Sequence, residues 1–160
     1  MNVNKELRKH STNKFRRFEA NLAPNVDIKY IIGTKSPWQN KIAKRLYDTG
    51  EYKAFVNKVP HRYLEENLVH AHLISYIKDF DEVLLATKKL LPYIDNWMIT
   101  DTISSRQFEK NKDKTLKFIY KCLDSKKTYT IRFGICLLKK YYLDDDLNIT
   151  INQSNKDKEE

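Results

Sequence analysis

One stretch of the sequence, residues 93–101, combines a carboxylate and a large aromatic side chain at helical spacing. Asp95 can cap a short helix, and Trp97 and Asp101 then lie four residues apart. Residues four apart share one face of an α-helix, so these two side chains are expected one turn from each other. A carboxylate beside a broad aromatic surface suits a cationic ligand. The alternative is a capped helix with a core tryptophan and a solvated aspartate, because this spacing is not specific.

Two strongly basic segments flank the acidic segment that contains this pair. The chain has a formal net charge of +9, and the charge is unevenly distributed. Residues 1–62 carry +9, residues 63–105 carry −4 and residues 106–140 carry +8. Basic segments of this density favour a polyanion such as nucleic acid as the partner. A lysine-rich, solvated helical surface is the alternative that charge alone leaves open.

Composition argues against secreted disulfide scaffolds and membrane proteins. No signal peptide is visible at the N-terminus, and no apolar run approaches the ~20 residues of a membrane span. Cys122 and Cys136 are isolated in the sequence and are expected to be reduced thiols. We therefore expect a monomeric cytoplasmic protein that needs no membrane.

A metal site is not expected. His70 and His72 are two residues apart on a predicted helix, and their side chains diverge by about 200°. They cannot share an ion without distortion, and no third ligand is suggested nearby. The sequence likewise gives no indication of a cofactor.

The N-terminal segment is predicted to be one helix over residues 3–22. Phe15, Phe18 and Leu22 recur at spacings of three and four residues, and Pro24 lies just beyond the end. This stripe is typical of a helix that packs its apolar face on the core. The stripe is therefore predicted to be buried.

A second helix is predicted to begin at Ser36. Ser36 is a good N-cap, Pro37 fits the first helical position, and Gly50 ends the helix. A helix start that carries Lys35 and Ser36 can hold a phosphate through its free backbone N–H groups. An ordinary capped helix explains the same residues.

The remaining chain is predicted to be helical as well. Helices are expected over residues 51–59 and 63–77, from a cap at Asp79 or Asp81 to Leu91, over 96–104 and over 106–123. Residues 129–138 alternate well enough for a strand, yet they also fit a helix. A lone strand among helices would lack a partner, so we predict a helix there.

The predicted helix starts near residues 63, 96 and 127 are separated by 33 and 31 residues. Stacked helical hairpins produce this spacing, so the sequence predicts an all-α fold, an α-α superhelix (solenoid) of HEAT-like helical hairpins. One domain is expected over residues 1–146, followed by a polar, disordered tail at 147–160. The third unit has one helix only, so the chain is expected to stop before that unit is complete.

Several motifs, taken in order, resemble a known family. They are Ile31-Ile-Gly-Thr-Lys-Ser-Pro37 with Lys41-Ile-Ala-Lys44, Leu68-Val-His-Ala-His-Leu-Ile74, Lys78-Asp-Phe-Asp81, Leu91-Pro-Tyr-Ile-Asp-Asn-Trp-Met-Ile-Thr-Asp101 and Tyr129-Thr-Ile-Arg-Phe-Gly134. This set resembles the DNA alkylation repair proteins, the AlkD-like DNA glycosylases built from HEAT-like repeats. The likeness extends over residues 15–146.

The resemblance implies an activity and a set of site residues. The activity is hydrolysis of the N-glycosidic bond of cationic, N3- or N7-alkylated purines in double-stranded DNA, without a cofactor. Asp101 matches the catalytic aspartate, Trp97 the tryptophan beside it, and Arg132 an arginine near the DNA backbone. Further DNA contacts are expected from basic and hydroxyl side chains of the two basic segments, namely Lys35, Ser36, Lys41 and Arg106.

Two other functions remain open from the sequence. A DNA-binding relative without catalysis would bind duplex DNA in a strongly salt-dependent way, and binding would be indifferent to Asp101. A helical-repeat module that binds other proteins would capture a partner without retaining DNA. An assay for base release separates the first of these from a glycosylase.

Overall fold

A computed structural model describes residues 1–142. Within this range there are ten α-helices and no strand. The helices are α1 (Val3–Arg8), α2 (Asn13–Leu22), α3 (Ser36–Asp48), α4 (Tyr52–Asn57), α5 (Leu64–Ile74), α6 (Phe80–Leu90), α7 (Trp97–Thr102), α8 (Arg106–Lys110), α9 (Lys112–Leu123) and α10 (Thr128–Tyr141). Two 3-10 turns, Ile28–Tyr30 and Leu91–Tyr93, connect them. The all-α prediction is confirmed.

The predicted repeat spacing is present in the helix starts. α5, α7 and α10 begin at Leu64, Trp97 and Thr128, each one residue after its predicted start. Neighbouring helices pack on one another along the chain, α3 on α5, α5 on α6 and α7, and α10 on α7 and α9. This sequential packing is consistent with an α-helical solenoid.

Helix α5 forms the centre of the described fold. Leu68, Val69, Ala71 and Leu73 are all buried although they point in different directions around the helix. A helix that is apolar on all sides has to be enclosed by other elements. α3, α6 and α7 enclose α5, and α7 is therefore anchored directly on the core.

The prediction of one helix over residues 3–22 is wrong in two respects. The chain breaks after Arg8, and Thr12 caps a separate helix α2 by accepting the backbone N–H of Phe15. The apolar stripe of α2 is also not buried: Phe18 is 53% exposed, and the buried residue of α2 is Glu19.

The loop that follows α2 explains why its polar side faces inward. The Glu65 carboxylate accepts backbone N–H groups of Ile32, Gly33 and Thr34, which have no helix or strand partner of their own. Arg16 of α2 donates to the carbonyl groups of Ile28 and Ile31 in the same loop. Buried backbone groups have to be hydrogen-bonded, so polar side chains are needed at this place.

The predicted helix over residues 106–123 is divided at Asn111 into α8 and α9. Thr115 is fully buried and donates its hydroxyl to the Phe108 carbonyl, which holds the two helices at their junction. The buried face of α9 contains Thr115, Phe118, Ile119 and Cys122.

Two predicted helix caps are displaced by one residue. Lys35, not Ser36, is the N-cap of α3, so Ser36 is the first helical residue and makes no cap hydrogen bond. Asn96, not Asp95, caps α7 and accepts the backbone N–H groups of Met98 and Ile99. In each case the predicted and the observed cap are adjacent residues, and local sequence does not decide between two adjacent cap positions.

The segment that was ambiguous between strand and helix is helical, as predicted. Phe133 and Leu137 of α10 are buried, whereas Ile135 is 47% exposed. Gly134 lets α10 approach α9, because a Cβ there would lie 3.1 Å from Cys122 Cβ. The predicted tail, residues 147–160, lies outside the described residues. Within residues 1–142 no helix is long and apolar enough to cross a membrane.

Candidate active site

Helix α7 carries both Trp97 and Asp101. Its cap, Asn96, is fully buried and donates to Asp95 Oδ1 as well as accepting two backbone N–H groups. Ile99 is also fully buried and fixes the helix on the core. Trp97 and Asp101 thus project from an element with a fixed position.

Asp101 is held by Arg132 of α10. Arg132 Nε donates to Asp101 Oδ1 at 3.1 Å, and Nη2 donates to Oδ2 at 2.8 Å. A two-point contact of this kind fixes the plane of the carboxylate as well as its distance. The hydrogen bond from Arg132 lowers the pKa of Asp101, against a smaller opposing effect of burial. The carboxylate is therefore ionised at neutral pH.

Two further side chains contact the same carboxylate. The Thr100 hydroxyl lies 3.1 Å from Asp101 Oδ1 and 2.9 Å from the Trp97 carbonyl oxygen, and its one proton is shared between these two acceptors. Cys136 Sγ lies 3.7 Å from Asp101 Oδ1 and donates to it. Burial, followed by the negative charge of Asp101, raises the pKa of the Cys136 thiol, so it stays protonated. Cys136 was not connected with Asp101 from the sequence. Its place four residues after Arg132 on one helix is the signal that could have found it.

Trp97 is exposed rather than part of the core. The residue is 41% exposed, and its indole N–H donates to the Leu22 carbonyl at 3.0 Å. The hydrogen bond orients the indole, and the exposed ring surface lies one helical turn from Asp101. The arrangement offers a carboxylate and an aromatic surface to the same ligand.

The other predicted DNA-binding residues are all exposed, but they lie on different elements. Ser36 Oγ is 3.2 Å from His72 Nε2, and Lys41 Nζ is 4.5 Å from the centre of the Trp38 ring. Lys35 is the N-cap of α3. Arg106 begins α8 and lines an open groove of about 630 Å³.

The structure brings together some of the predicted residues and separates others. Asp101 and Arg132 are in direct contact, and Trp97 is on the same short helix as Asp101. Lys35, Ser36 and Lys41 are on α3, and no hydrogen bond or ion pair within residues 1–142 links their side chains to Asp101. The α3 residues would have to act on a different part of an extended ligand.

The groove at Arg106 contains two further basic residues that were not predicted to bind DNA. Lys78 and Lys110 line it beside Arg106, and no carboxylate is among the residues that line it. Close to it, Lys140 of α10 donates to Ser104 Oγ at 2.9 Å. This groove is a basic, hydroxyl-rich surface between α5, α8 and the Asp101 region.

The histidines form hydrogen bonds to protein groups. His70 Nε2 lies 3.0 Å from the Ala86 carbonyl, and His70 Nδ1 lies 2.9 Å from His61 Nε2. Burial lowers the pKa of His61 to about 4 and that of His70 to about 3. Among residues 1–142, no group of three or more possible ligands is arranged to hold a metal ion.

Comparison with known proteins identifies the family. The family model described as DNA alkylation repair enzyme matches residues 3–157, which is nearly the whole chain. No curated protein and no solved structure matches this sequence. The matched range spans Trp97, Asp101 and Arg132. The chain therefore belongs to the DNA alkylation repair enzyme family, whose role is DNA repair and whose substrate is DNA.

Proposed function

We propose that this protein is a DNA glycosylase that hydrolyses the N-glycosidic bond of cationic alkylated purines in duplex DNA. The observation that carries the proposal is the ionised Asp101 carboxylate, which Arg132 holds in a fixed orientation while it stays partly exposed. It lies one turn from the exposed ring of Trp97 in a member of a DNA alkylation repair family.

The chemistry needs a fixed negative charge more than it needs an acid. An N3- or N7-alkylated purine already carries a positive charge, so breaking its C1′–N bond returns the electron pair to the base and leaves it neutral. The positive charge then develops on the sugar, which becomes oxocarbenium-like. A preorganised carboxylate stabilises that charge without reorganising. In this proposal Asp101 supplies that carboxylate.

Water completes the reaction at the sugar. A water molecule adds its oxygen to C1′ and loses a proton, so that a hydroxyl group replaces the departed base. Asp101 can orient this water by accepting its hydrogen bond, because its carboxylate is 37% exposed beside its contacts with Arg132. Arg132 uses Nε and Nη2 on Asp101, and its other N–H groups are available to a DNA phosphate.

Trp97 supplies the surface against which the cationic nucleotide lies. Contacts between a cation and an aromatic ring are worth about 0.5–2 kcal/mol, most when water is excluded. The indole N–H is already bound to the Leu22 carbonyl, so the ring approaches the nucleotide as a surface and not as a hydrogen-bond donor.

Release of alkylated purine from methylated duplex DNA is the direct test. We expect the wild type to release the base. Asp101→Asn should lower the rate of base release by ~10²-fold or more, because it removes a preorganised negative charge. The matched control is Glu109→Gln, which removes an exposed carboxylate from α8 and should leave the rate unchanged. Circular dichroism would verify that all three proteins are folded.

The same experiment distinguishes the alternatives. Folded wild type that binds duplex DNA but releases no base would be a non-catalytic relative, and equal release by wild type and Asp101→Asn would refute the role of the carboxylate. Folded protein without any retention of DNA would favour a protein-interaction module.

A further inference from the structure

Helix α2 presents an apolar face to solvent. Phe18 is 53% exposed and Leu22 is 36% exposed, and the Phe15 and Phe18 rings are 5.6 Å apart. Phe15, Phe18 and Leu22 follow one another at helical spacing, so they form a continuous surface that we call the α2 ridge. Contiguous apolar patches on the surface of folded soluble proteins commonly mark binding sites.

The α2 ridge is joined to the candidate active site. The Leu22 carbonyl accepts the indole N–H of Trp97, and the side-chain amide of Asn25 donates to the Asp95 carbonyl just before α7. These contacts fix the C-terminal end of α2 beside the start of α7. The apolar surface of the ridge therefore continues into the exposed ring of Trp97.

The charges around the α2 ridge are positive. Lys14 and Arg17 are exposed on α2, and Lys35 Nζ lies 5.9 Å from the centre of the Phe15 ring. None of the three forms an ion pair with a carboxylate within residues 1–142. The one carboxylate of α2, Glu19, is buried on the opposite side. The exposed surface of α2 is thus apolar and basic, which complements a polyanion that also offers apolar surface.

We propose that the α2 ridge stacks against unpaired or unstacked bases in the DNA next to the lesion, and that it gives the protein a preference for distorted duplexes. This inference rests on the proposed function, in which Trp97 and Asp101 lie at the damaged nucleotide. Aromatic side chains flanked by cations are the usual means of binding unpaired bases, because every base has a π surface. A regular duplex keeps its bases stacked and offers the ridge only phosphates.

The inference can be tested by measuring the affinity for two duplexes that differ at one central position. One duplex is fully paired, and the other carries a single unpaired base. We expect the wild type to prefer the second, and Phe18→Ala to reduce that preference roughly tenfold, the effect of losing about one stacked base. Phe18→Trp should retain the preference. The matched control is Leu85→Ala, because Leu85 is 54% exposed on α6 and is not part of the ridge.

The outcomes separate failure of this inference from failure of the proposed function. If the wild type releases alkylated purine and the Phe18→Ala variant still prefers the duplex with the unpaired base, the inference alone is overturned. A wild type that releases no base, yet prefers the unpaired duplex through Phe18, would overturn the glycosylase proposal and support the ridge. If the wild type is a dimer and Phe18→Ala dissociates it, the ridge binds a second copy of the chain and the inference is overturned. If the protein binds anionic phospholipid vesicles through Phe18 while Phe18→Ala leaves DNA affinity unchanged, the ridge binds membrane lipids and the inference is also overturned.

Discussion

Asp101 gains its properties from its contacts rather than from deep burial. A two-point contact with Arg132 and a hydrogen bond from Thr100 restrain the carboxylate, and both lower its pKa. An exposed aspartate without these contacts would be ionised too, but it would be mobile. The gain is therefore in orientation, which is the property that stabilisation of a developing charge requires.

Glu19 has the opposite environment. It is 1% exposed, and burial, followed by repulsion from Glu65, raises its pKa to about 9. Glu65 already accepts backbone N–H groups of the Ile31–Thr34 loop. Glu19 is therefore a neutral acid at pH 7, which removes the charge repulsion between the two carboxyl groups.

This environment makes stability depend on pH in a defined direction. Unfolded Glu19 ionises near pH 4.3, whereas the folded protein keeps the proton until about pH 9. Between these values the folded state binds one more proton, so the free energy of unfolding falls as the pH rises, by at most about 1.4 kcal/mol per pH unit. We predict that Glu19→Gln, which keeps a donor toward Glu65, removes this contribution and stabilises the protein most at pH 8–9.

Urea denaturation of both proteins at several pH values measures the effect. Glu109→Gln is the control because Glu109 is exposed, and it should follow the wild-type curve. Parallel pH dependence in wild type and Glu19→Gln would show that Glu19 is not protonated in the folded state.

At the scale of elements, the Ile31–Thr34 loop depends on Gly33. Gly33 has a φ of +91°, and a Cβ there would lie 2.6 Å from Arg16 Cβ and 2.7 Å from the Thr12 carbonyl oxygen. Both the conformation and the space therefore require glycine. The loop connects α2, α3 and α5, so its geometry determines where α2 lies.

We predict that Gly33→Ala destabilises the protein by ~3 kcal/mol or more, because it adds a steric clash to an unfavourable conformation. Gly50→Ala is a matched control: Gly50 has a φ of +75°, but nothing lies within 4 Å of a Cβ there. The control should cost ~1–2 kcal/mol from conformation alone. The free energies of unfolding in urea give both values, and similar losses for the two variants would contradict a clash at Gly33.

The starts of α5, α7 and α10 could be predicted from sequence, but the breaks before α2 and α9 and the inward face of α2 could not. Caps and prolines are local signals, and they gave the starts of α5, α7 and α10 to within one residue. The inward face of α2 depends instead on Glu65 and the backbone groups of the loop, which are distant in sequence. An apolar stripe shows that a helix is amphipathic, but not that the stripe faces the core.

In the candidate site, too, local sequence predicts some features, and contacts between distant residues determine the others. The spacing of Trp97 and Asp101 on one helix was predicted correctly from local pattern. The partner of Asp101 is 31 residues further along the chain, and no local signal links it to Asp101. Only the family resemblance suggested a role for Arg132, and the contact itself came from the packing of α10 on α7.

For the molecule as a whole, the excess of positive charge should appear as salt dependence. The logarithm of the duplex association constant should fall linearly with the logarithm of salt concentration, by about 0.9 for each phosphate contact. We predict that the double variant Lys35→Ala/Lys41→Ala lowers the magnitude of this slope by about 2. The variant should bind paired and distorted duplexes with proportionally reduced affinity.

The control for the slope is Lys29→Ala. The Lys29 ammonium is 3.0 Å from Asp27 Oδ2, so its charge is already paired, and the slope should not change. A slope unaffected by the α3 double variant would place the duplex elsewhere on the surface, and Lys78, Arg106 and Lys110 of the groove would be the next residues to test.

The hydrogen bond between Trp97 and the Leu22 carbonyl has a consequence for lesion selectivity. Indole has a single donor and no acceptor, and that donor is already engaged. Trp97 therefore cannot distinguish one base edge from another, and any purine can lie against its ring. Under the proposed reaction, discrimination among lesions then comes from how readily each modified base departs, so the spectrum of substrates would follow glycosidic bond lability rather than base identity.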